Sequence, residues 1–207
     1  MKIEGPEQLD RIDFDKGDGL VPLIAQHVDT GEVRMLGYAD RAALEASLAT
    51  GELHFHSCRS GALWRKGATS GNVLALVSLH ADCDADALLA LVLPAGPTCH
   101  IGADSCFEAA PFLQRLAGII EARAAARAAG EAAGSYTARL LDDRNLRLKK
   151  LTEEAGELAV ACADGNAAGV AAEAADLLYH ALVACCAAGV PFEDVVKILR
   201  QRHLGKL

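Results

Sequence analysis

The sequence is poor in aromatic residues, which make up 4% of a chain that is 52% apolar. Alanine fills much of the difference, and alanine favours closely packed helices. A basic excess is also missing. The net charge is −8 over 207 residues, which argues against a nucleic-acid partner. The charge is uneven: residues 1–120 carry −7 and residues 121–207 carry −1. No run of 18 uninterrupted apolar residues occurs, so no membrane span is expected. The opening MKIEGPEQLD lacks the apolar stretch of a signal peptide, so the expected location is cytoplasmic. Seven cysteines then belong in a reducing compartment, as thiols, thiolates or ligands. Cys162, Cys185 and Cys186 lie in alanine-rich helical text and are expected to be buried small hydrophobes.

What is present divides the chain in two. Residues 1–107 read as a mixed, mainly β unit. "GLVPLIAQHVDTGEVRMLGYAD" gives a strand, a turn at Asp29–Gly31 and a strand over Val33–Tyr38. A helix is predicted over Arg41–Thr50, with Asp40 as N-cap and a stop before Gly51. "ELHFHSCRSGALWRKG" reads as two strands around Arg59–Gly61. From residue 108 to 207 helical periods dominate, with helices predicted at 109–129, 137–163, 168–188 and 192–202. The fold class is α+β multidomain, a mainly β domain followed by an all-α domain.

Two groups of chemistry-bearing residues stand out. In the first half, Cys99 opens "CHIGADSC" and Cys106 closes it, while Cys83 lies in "ADCDADALL". Thiolates suit zinc, and three ligands leave a fourth position for water, whose pKa zinc lowers. Buried free thiols fit the spacing as well. Asp82, Asp84 and Asp86 alternate around Cys83. In an extended segment they share one side and suit magnesium; in a solvated turn the alternation carries no meaning. In "LWRKGATSGN", Lys66, Thr69 and Ser70 suit a phosphate, and Trp64 suits either a base or the core. His100 suits a general base or a surface position. In the second half, "KKLTEEAGELAV" sets Glu153, Glu154 and Glu157 on one stripe at about 100° per residue. "EAADLLYH" sets Glu173, Asp176 and His180 on one face. Facing carboxylates repel unless cations neutralise them, and magnesium with carboxylates implies phosphate chemistry. Lys150, four residues before Glu154, suits a helix salt bridge or a phosphate.

At these motifs the chain resembles known families. "GLVPLIAQHVDTGEVRMLGY", "LWRKGATSGN", "DCDADALL" and "GPTCHIGADSCF" resemble phosphoribosyl-AMP cyclohydrolase over about residues 19–107. "SYTARL", "KKLTEEAGEL" and "EAADLLYHALV" resemble phosphoribosyl-ATP pyrophosphatase, of the all-α nucleotide pyrophosphohydrolase type, over about 112–202. Their order is similar to the bifunctional histidine-biosynthesis enzymes.

The resemblance implies that Cys83, Cys99 and Cys106 bind zinc, with the ligands shared across a homodimer, and that Asp82, Asp84 and Asp86 bind magnesium. It implies that Glu154, Glu157, Glu173 and Asp176 hold magnesium on the triphosphate of an ATP-type nucleotide, with Glu153 nearby. The implied reactions are release of pyrophosphate from phosphoribosyl-ATP, then hydrolytic opening of phosphoribosyl-AMP at N1–C6, with His100 as proton shuttle.

The chain departs from the family in "HSCRSGALW". Cys58 and Ser60 stand at two usual arginine places, and Arg59 at a serine place. Arg59 is then the expected phosphate contact, with Arg34 or Arg65 helping. His27 stands where an acid is usual. A rival reading, a zinc nucleobase deaminase fused to a house-cleaning nucleotide pyrophosphatase, needs His/Cys–x–Glu followed by Pro–Cys–x–x–Cys. The first half lacks that pattern.

Overall fold

The computed structural model describes residues 1–107, 109–131 and 134–203, and the chain divides between Pro111 and Phe112 into two compact units. The first unit is a seven-stranded sheet: β1 (Lys2–Ile3), β2 (Val21–His27), β3 (Val33–Ala39), β4 (His54–Ser57), β5 (Ala62–Arg65), β6 (Leu74–Ala81) and β7 (Leu88–Pro94). Its order is β1-β6-β7-β2-β3-β4-β5, parallel between β2 and β7 and antiparallel elsewhere. Burial alternates along β2, so Val21, Leu23, Ala25 and His27 face inward. Val21, Leu23 and Ala25 meet Leu88, Ala90 and Val92 of β7, and Leu44 of α1 (Arg41–Thr50), in one core.

Helix α1 forms as the sequence predicts. Asp40 accepts a hydrogen bond from Ala43 N at 2.8 Å, and Gly51 ends the helix at φ 69°. Gly37 in β3 is required for packing: a Cβ there would lie 2.4 Å from the Phe55 ring.

Between β6 and β7, residues 82–87 form a bend and not an extended segment. Asp82 Oδ1 accepts from the backbone N–H of Asp86 and Ala87 at 3.1 and 3.3 Å, and Ala85 adopts φ 61°. The alternation of the three acids is therefore not that of a strand.

The second unit contains α2 (Phe112–Ala128), α3 (Tyr136–Asp142), α4 (Arg144–Ala163), α5 (Ala167–Ala187) and α6 (Phe192–His203). The helix expected over 137–163 is two helices. Asp143 turns extended at φ −97°, ψ 99°, and its carboxylate accepts from Asn145 N and Leu146 N to cap α4. Helices α4 and α5 pack antiparallel across a short turn, and Ile120, Leu140 and Val183 are enclosed between helices. Cys162 is exposed, and Cys185 and Cys186 are half-buried, so none is the buried hydrophobe expected. Helix α5 is long and apolar enough to cross a bilayer by length and composition, with a mean hydropathy of 1.4. Its apolar run is interrupted by Glu173, Asp176 and His180, which a search for uninterrupted runs passes over.

Candidate active sites

In the sheet unit, a cavity of about 490 Å³ is lined by Trp64, Lys66, Thr69, Ser70, Cys99, His100 and Cys106. Strand β5 supplies Trp64, and the loop after it supplies Lys66, Thr69 and Ser70. It closes tightly because Gly67, at φ +81°, lies against the backbone of Asn72; a Cβ on Gly67 would sit 2.4 Å from that carbonyl carbon. Lys66 is buried. Trp64 pairs with Phe55 across β4–β5, with ring centroids 5.7 Å apart.

The loop after β7 supplies the thiols. Cys99 N donates to Ala103 O at 2.8 Å, and Cys99 Sγ lies 3.7 Å from His100 Nδ1. The Cys106 thiol is pushed up from its ordinary range. Desolvation of its sulfur is the largest cause, although the residue as a whole is exposed; a hydrogen bond with Cys99 and the charge of Cys99 add to it. Two thiols that share a hydrogen bond ionise together only at a cost, and a divalent cation removes that cost. The donor set therefore suits a thiophilic metal.

Cys83 lies elsewhere. It sits exposed on the 82–87 bend, with Sγ 3.7 Å from Asp84 Oδ1. Among the described residues, Asp82, Cys83 and Asp84 form one group of ligand atoms within 4.8 Å of one another, whereas the three sulfurs of Cys83, Cys99 and Cys106 form no such group within one chain. Lys16 Nζ donates to Asp84 and Asp86 at 2.7 and 2.8 Å. That hydrogen bond, then the ammonium charge, holds the Asp84 carboxyl below its usual range.

Arg59 sits with Cys58 and Ser60 on the exposed turn between β4 and β5 and does not line the cavity. Arg34 and Arg65 are engaged elsewhere: Arg34 is buried against Glu32, and Arg65 pairs with Glu52 at 2.9 Å.

In the helical unit, Glu154, Glu157 and Glu173 bring carboxylate oxygens within 4.8 Å of one another. An open groove of about 540 Å³ beside them is lined by Glu153, Glu157, Glu173 and Thr152. Burial pushes Glu173 up, and the charges of Glu157, Glu154 and Asp176 push it further. A cation placed among these groups relieves that repulsion, so the set suits a hard divalent metal. Lys150 Nζ lies 2.9 Å from Glu154 and 3.3 Å from Glu153, and its hydrogen bond holds Glu154 below the usual carboxylate range.

Buried His180 stands 3.7 Å from Glu154 and is packed edge-on against Tyr136 and Tyr179. "SYTARL" has a structural task as well: Ser135 caps α3, and the Thr137 hydroxyl bonds Arg123 and Tyr179 at 2.7 and 2.9 Å. The sequence placed His180 on the acidic face without a contact. It offered no signal for the buried hydroxyl of Thr98, which lines the first cavity.

Each unit matches a known family. The phosphoribosyl-AMP cyclohydrolase model matches residues 35–108, and the phosphoribosyl-ATP pyrophosphohydrolase model matches residues 117–203. A Histidine biosynthesis bifunctional protein HisIE from Xanthomonas campestris pv. campestris is 43% identical over 198 residues, covering 95% of each chain. The chain belongs to the bifunctional histidine-biosynthesis family. Proteins of the same name from Shewanella oneidensis and Yersinia pestis are 44% and 40% identical, covering 93% and 95% of this chain and 91% and 97% of theirs.

As a member of the bifunctional histidine-biosynthesis family, the chain is a hydrolase with a cyclohydrolase and a pyrophosphohydrolase domain, and the deaminase reading is not favoured. Enzymes of both domain types depend on metal ions, in keeping with the two ligand clusters.

Proposed function

We propose that the helical unit hydrolyses phosphoribosyl-ATP between the α and β phosphates, and that the sheet unit then opens the purine ring of phosphoribosyl-AMP at N1–C6. The observation that carries the second step is the convergence of Cys99, Cys106, His100, Lys66, Thr69 and Ser70 on one cavity. Lys66, Thr69 and Ser70 bind the phosphate, Trp64 lies against the base, and His100 moves the proton. Cys99 and Cys106, with Cys83 contributed by a second subunit, would hold zinc, which activates water for attack at C6 when bound. Asp82, Asp84 and Asp86 would hold magnesium once Lys16 swings away.

In the helical unit, Glu154, Glu157, Glu173 and Asp176 would hold magnesium, which neutralises the departing pyrophosphate. Glu153 orients the attacking water, and Lys150 moves from Glu154 to the triphosphate.

A homodimer is supported by what each unit leaves uncovered. On one sheet face Leu36, Tyr38, Leu63 and Leu93 are exposed together. In the helical unit Val160, Leu178 and Leu199 are exposed. Such faces are normally buried against a partner. A shared site also accounts for the separation of Cys83 from Cys99 and Cys106 within one chain. The reading places the enzyme in the cytoplasm.

The test is to supply phosphoribosyl-ATP and follow pyrophosphate and ring opening separately. Cys99→Ala is expected to abolish ring opening and spare pyrophosphate release, and Glu154→Gln to block pyrophosphate release and spare ring opening from supplied phosphoribosyl-AMP. Loss of both activities in either folded variant contradicts two independent sites.

A further inference from the structure

Strand β3 contains an irregularity whose place bears on the thiols. Ala25 pairs with Met35, yet Gln26 pairs with Val33, so Arg34 is an extra residue with no partner on β2. Arg34 and Met35 are consequently buried one after the other, against the two-residue alternation of a strand. A bulge of this kind re-aims a side chain. Here it turns a guanidinium inward, where it is 4% exposed.

The buried guanidinium bridges the loop after β7 and the β2–β3 turn. Arg34 Nη1 donates to the backbone carbonyl of Asp104 at 2.8 Å and lies 3.1 Å from the buried carboxylate of Glu32. The Arg34 carbonyl accepts from Cys106 N at 2.8 Å, and the next contact repeats the pattern, with Ser105 Oγ donating to Val33 O at 2.7 Å. The segment 104–106 is thus fastened to the bulge through a side chain, a main chain and a hydroxyl. A buried ion pair adds little to stability, because desolvating both charges offsets their attraction. What it supplies is a fixed location, and the group it locates is the main chain that carries Cys106.

We propose that Arg34 is a positioning residue for the thiol pair: by gripping the Asp104 carbonyl from the β3 bulge, it holds the Cys99–Cys106 loop in the geometry that receives the metal. The proposal rests on the reading that Cys99 and Cys106 are metal ligands. Arg34 does not reach the substrate phosphate, because its guanidinium is buried and bonded within the protein.

The test uses the full-length protein. Arg34→Leu alone leaves Glu32 buried and unpaired, so the informative variant is Arg34→Leu/Glu32→Leu, which removes both charges together. It is expected to keep the wild-type thermal midpoint of the sheet unit and the wild-type rate of pyrophosphate release. Its Zn2+ affinity, measured by competition with a chromophoric chelator, is expected to fall about tenfold or more, as when groups that orient ligands are lost. The thiolate-to-cobalt charge-transfer band of the Co2+-loaded protein should weaken in parallel. Ser105→Ala, a milder cut in the same fastening, should show the same two changes to a smaller degree, and Arg34→Lys should recover part of the affinity. Wild-type affinity and band intensity in the double variant overturn the proposal. So does a loss of thermal stability in Ser105→Ala with no change in metal binding, since that marks a purely structural contact. A wild-type protein that binds neither Zn2+ nor Co2+ through thiolates instead overturns the metal reading on which the proposal stands.

Discussion

Replacing Gly67 by alanine should separate backbone strain from steric collision in the loop that carries Lys66, Thr69 and Ser70. Two glycines in this loop, Gly67 and Gly71, have positive φ, +81° and +77°. An L-residue in that region costs about 1–2 kcal/mol at either position. Their surroundings differ. A Cβ on Gly71 meets nothing within 4 Å, whereas one on Gly67 falls 2.4 Å from Asn72 C, 2.5 Å from its oxygen and 2.5 Å from Val73 N. Those atoms are main chain, so no side-chain rotation relieves the contact, and overpacking of this sort adds about 1–3 kcal/mol.

Gly71→Ala should therefore lose about 1–2 kcal/mol and Gly67→Ala about 2–5 kcal/mol. At about 4 °C per kcal/mol for a unit of this size, the midpoints separate by several degrees. Calorimetry that resolves the sheet-unit transition measures the difference. Gly67→Ala should also raise KM for phosphoribosyl-AMP, because the loop can relieve the contact only by moving Lys66, Thr69 and Ser70, the residues proposed to bind the phosphate. Equal losses in the two variants, with KM unchanged, would refute the reasoning.

Other expectations concern single groups. Thr98 is buried and its Oγ1 has no hydrogen-bond partner among the described residues. Thr98→Val should therefore leave stability unchanged or raise it by up to about 1 kcal/mol; a lower urea midpoint would show that the hydroxyl is bonded. His80 is held below the ordinary histidine value, first by burial and then by the charges of the amino terminus and Lys2. The unfolded chain takes up that proton before the folded one, so stability is complete above about pH 6.5 and declines as pH falls through the folded value. His80→Gln should flatten that slope in Tm measured between about pH 7.5 and 5. Lys16 covers Asp84 and Asp86, so Lys16→Met should tighten Mn2+ binding to the 82–87 bend severalfold, read by paramagnetic resonance titration; unchanged binding would show that the ammonium does not compete.

The sequence was most legible where one local interaction decides the outcome. Asp40 and Gly51 mark both ends of α1, and alternation marks β2. It was least legible where distant segments decide. Apolar periodicity runs through Asp143 without a mark, because the capping carboxylate that divides α3 from α4 is compatible with a helix interior until its backbone turns extended. Alternating acids look alike in a strand and in a bend, and an alanine at φ 61° leaves no trace in composition. The β3 bulge is a matter of register between strands, so nothing near Arg34 announces that it faces inward. The residues around the first cavity come from β3, from β5 and the loop after it, and from the loop after β7, and their meeting is a property of the sheet order. The acidic stripes were easier to read, because α4 and α5 are neighbours in the chain and a short turn brings their faces together.

The interior of the helical unit has a consequence for how the enzyme is handled. Among the described residues its cluster of buried large side chains is small, Ile120, Leu140 and Val183, with Leu116, Leu141, Leu146, Tyr179 and Leu182 only partly buried around them. If a second copy covers the exposed Val160, Leu178 and Leu199, as proposed, dilution acts on this half as a denaturant does. Its melting temperature should climb with protein concentration while that of the sheet half holds steady.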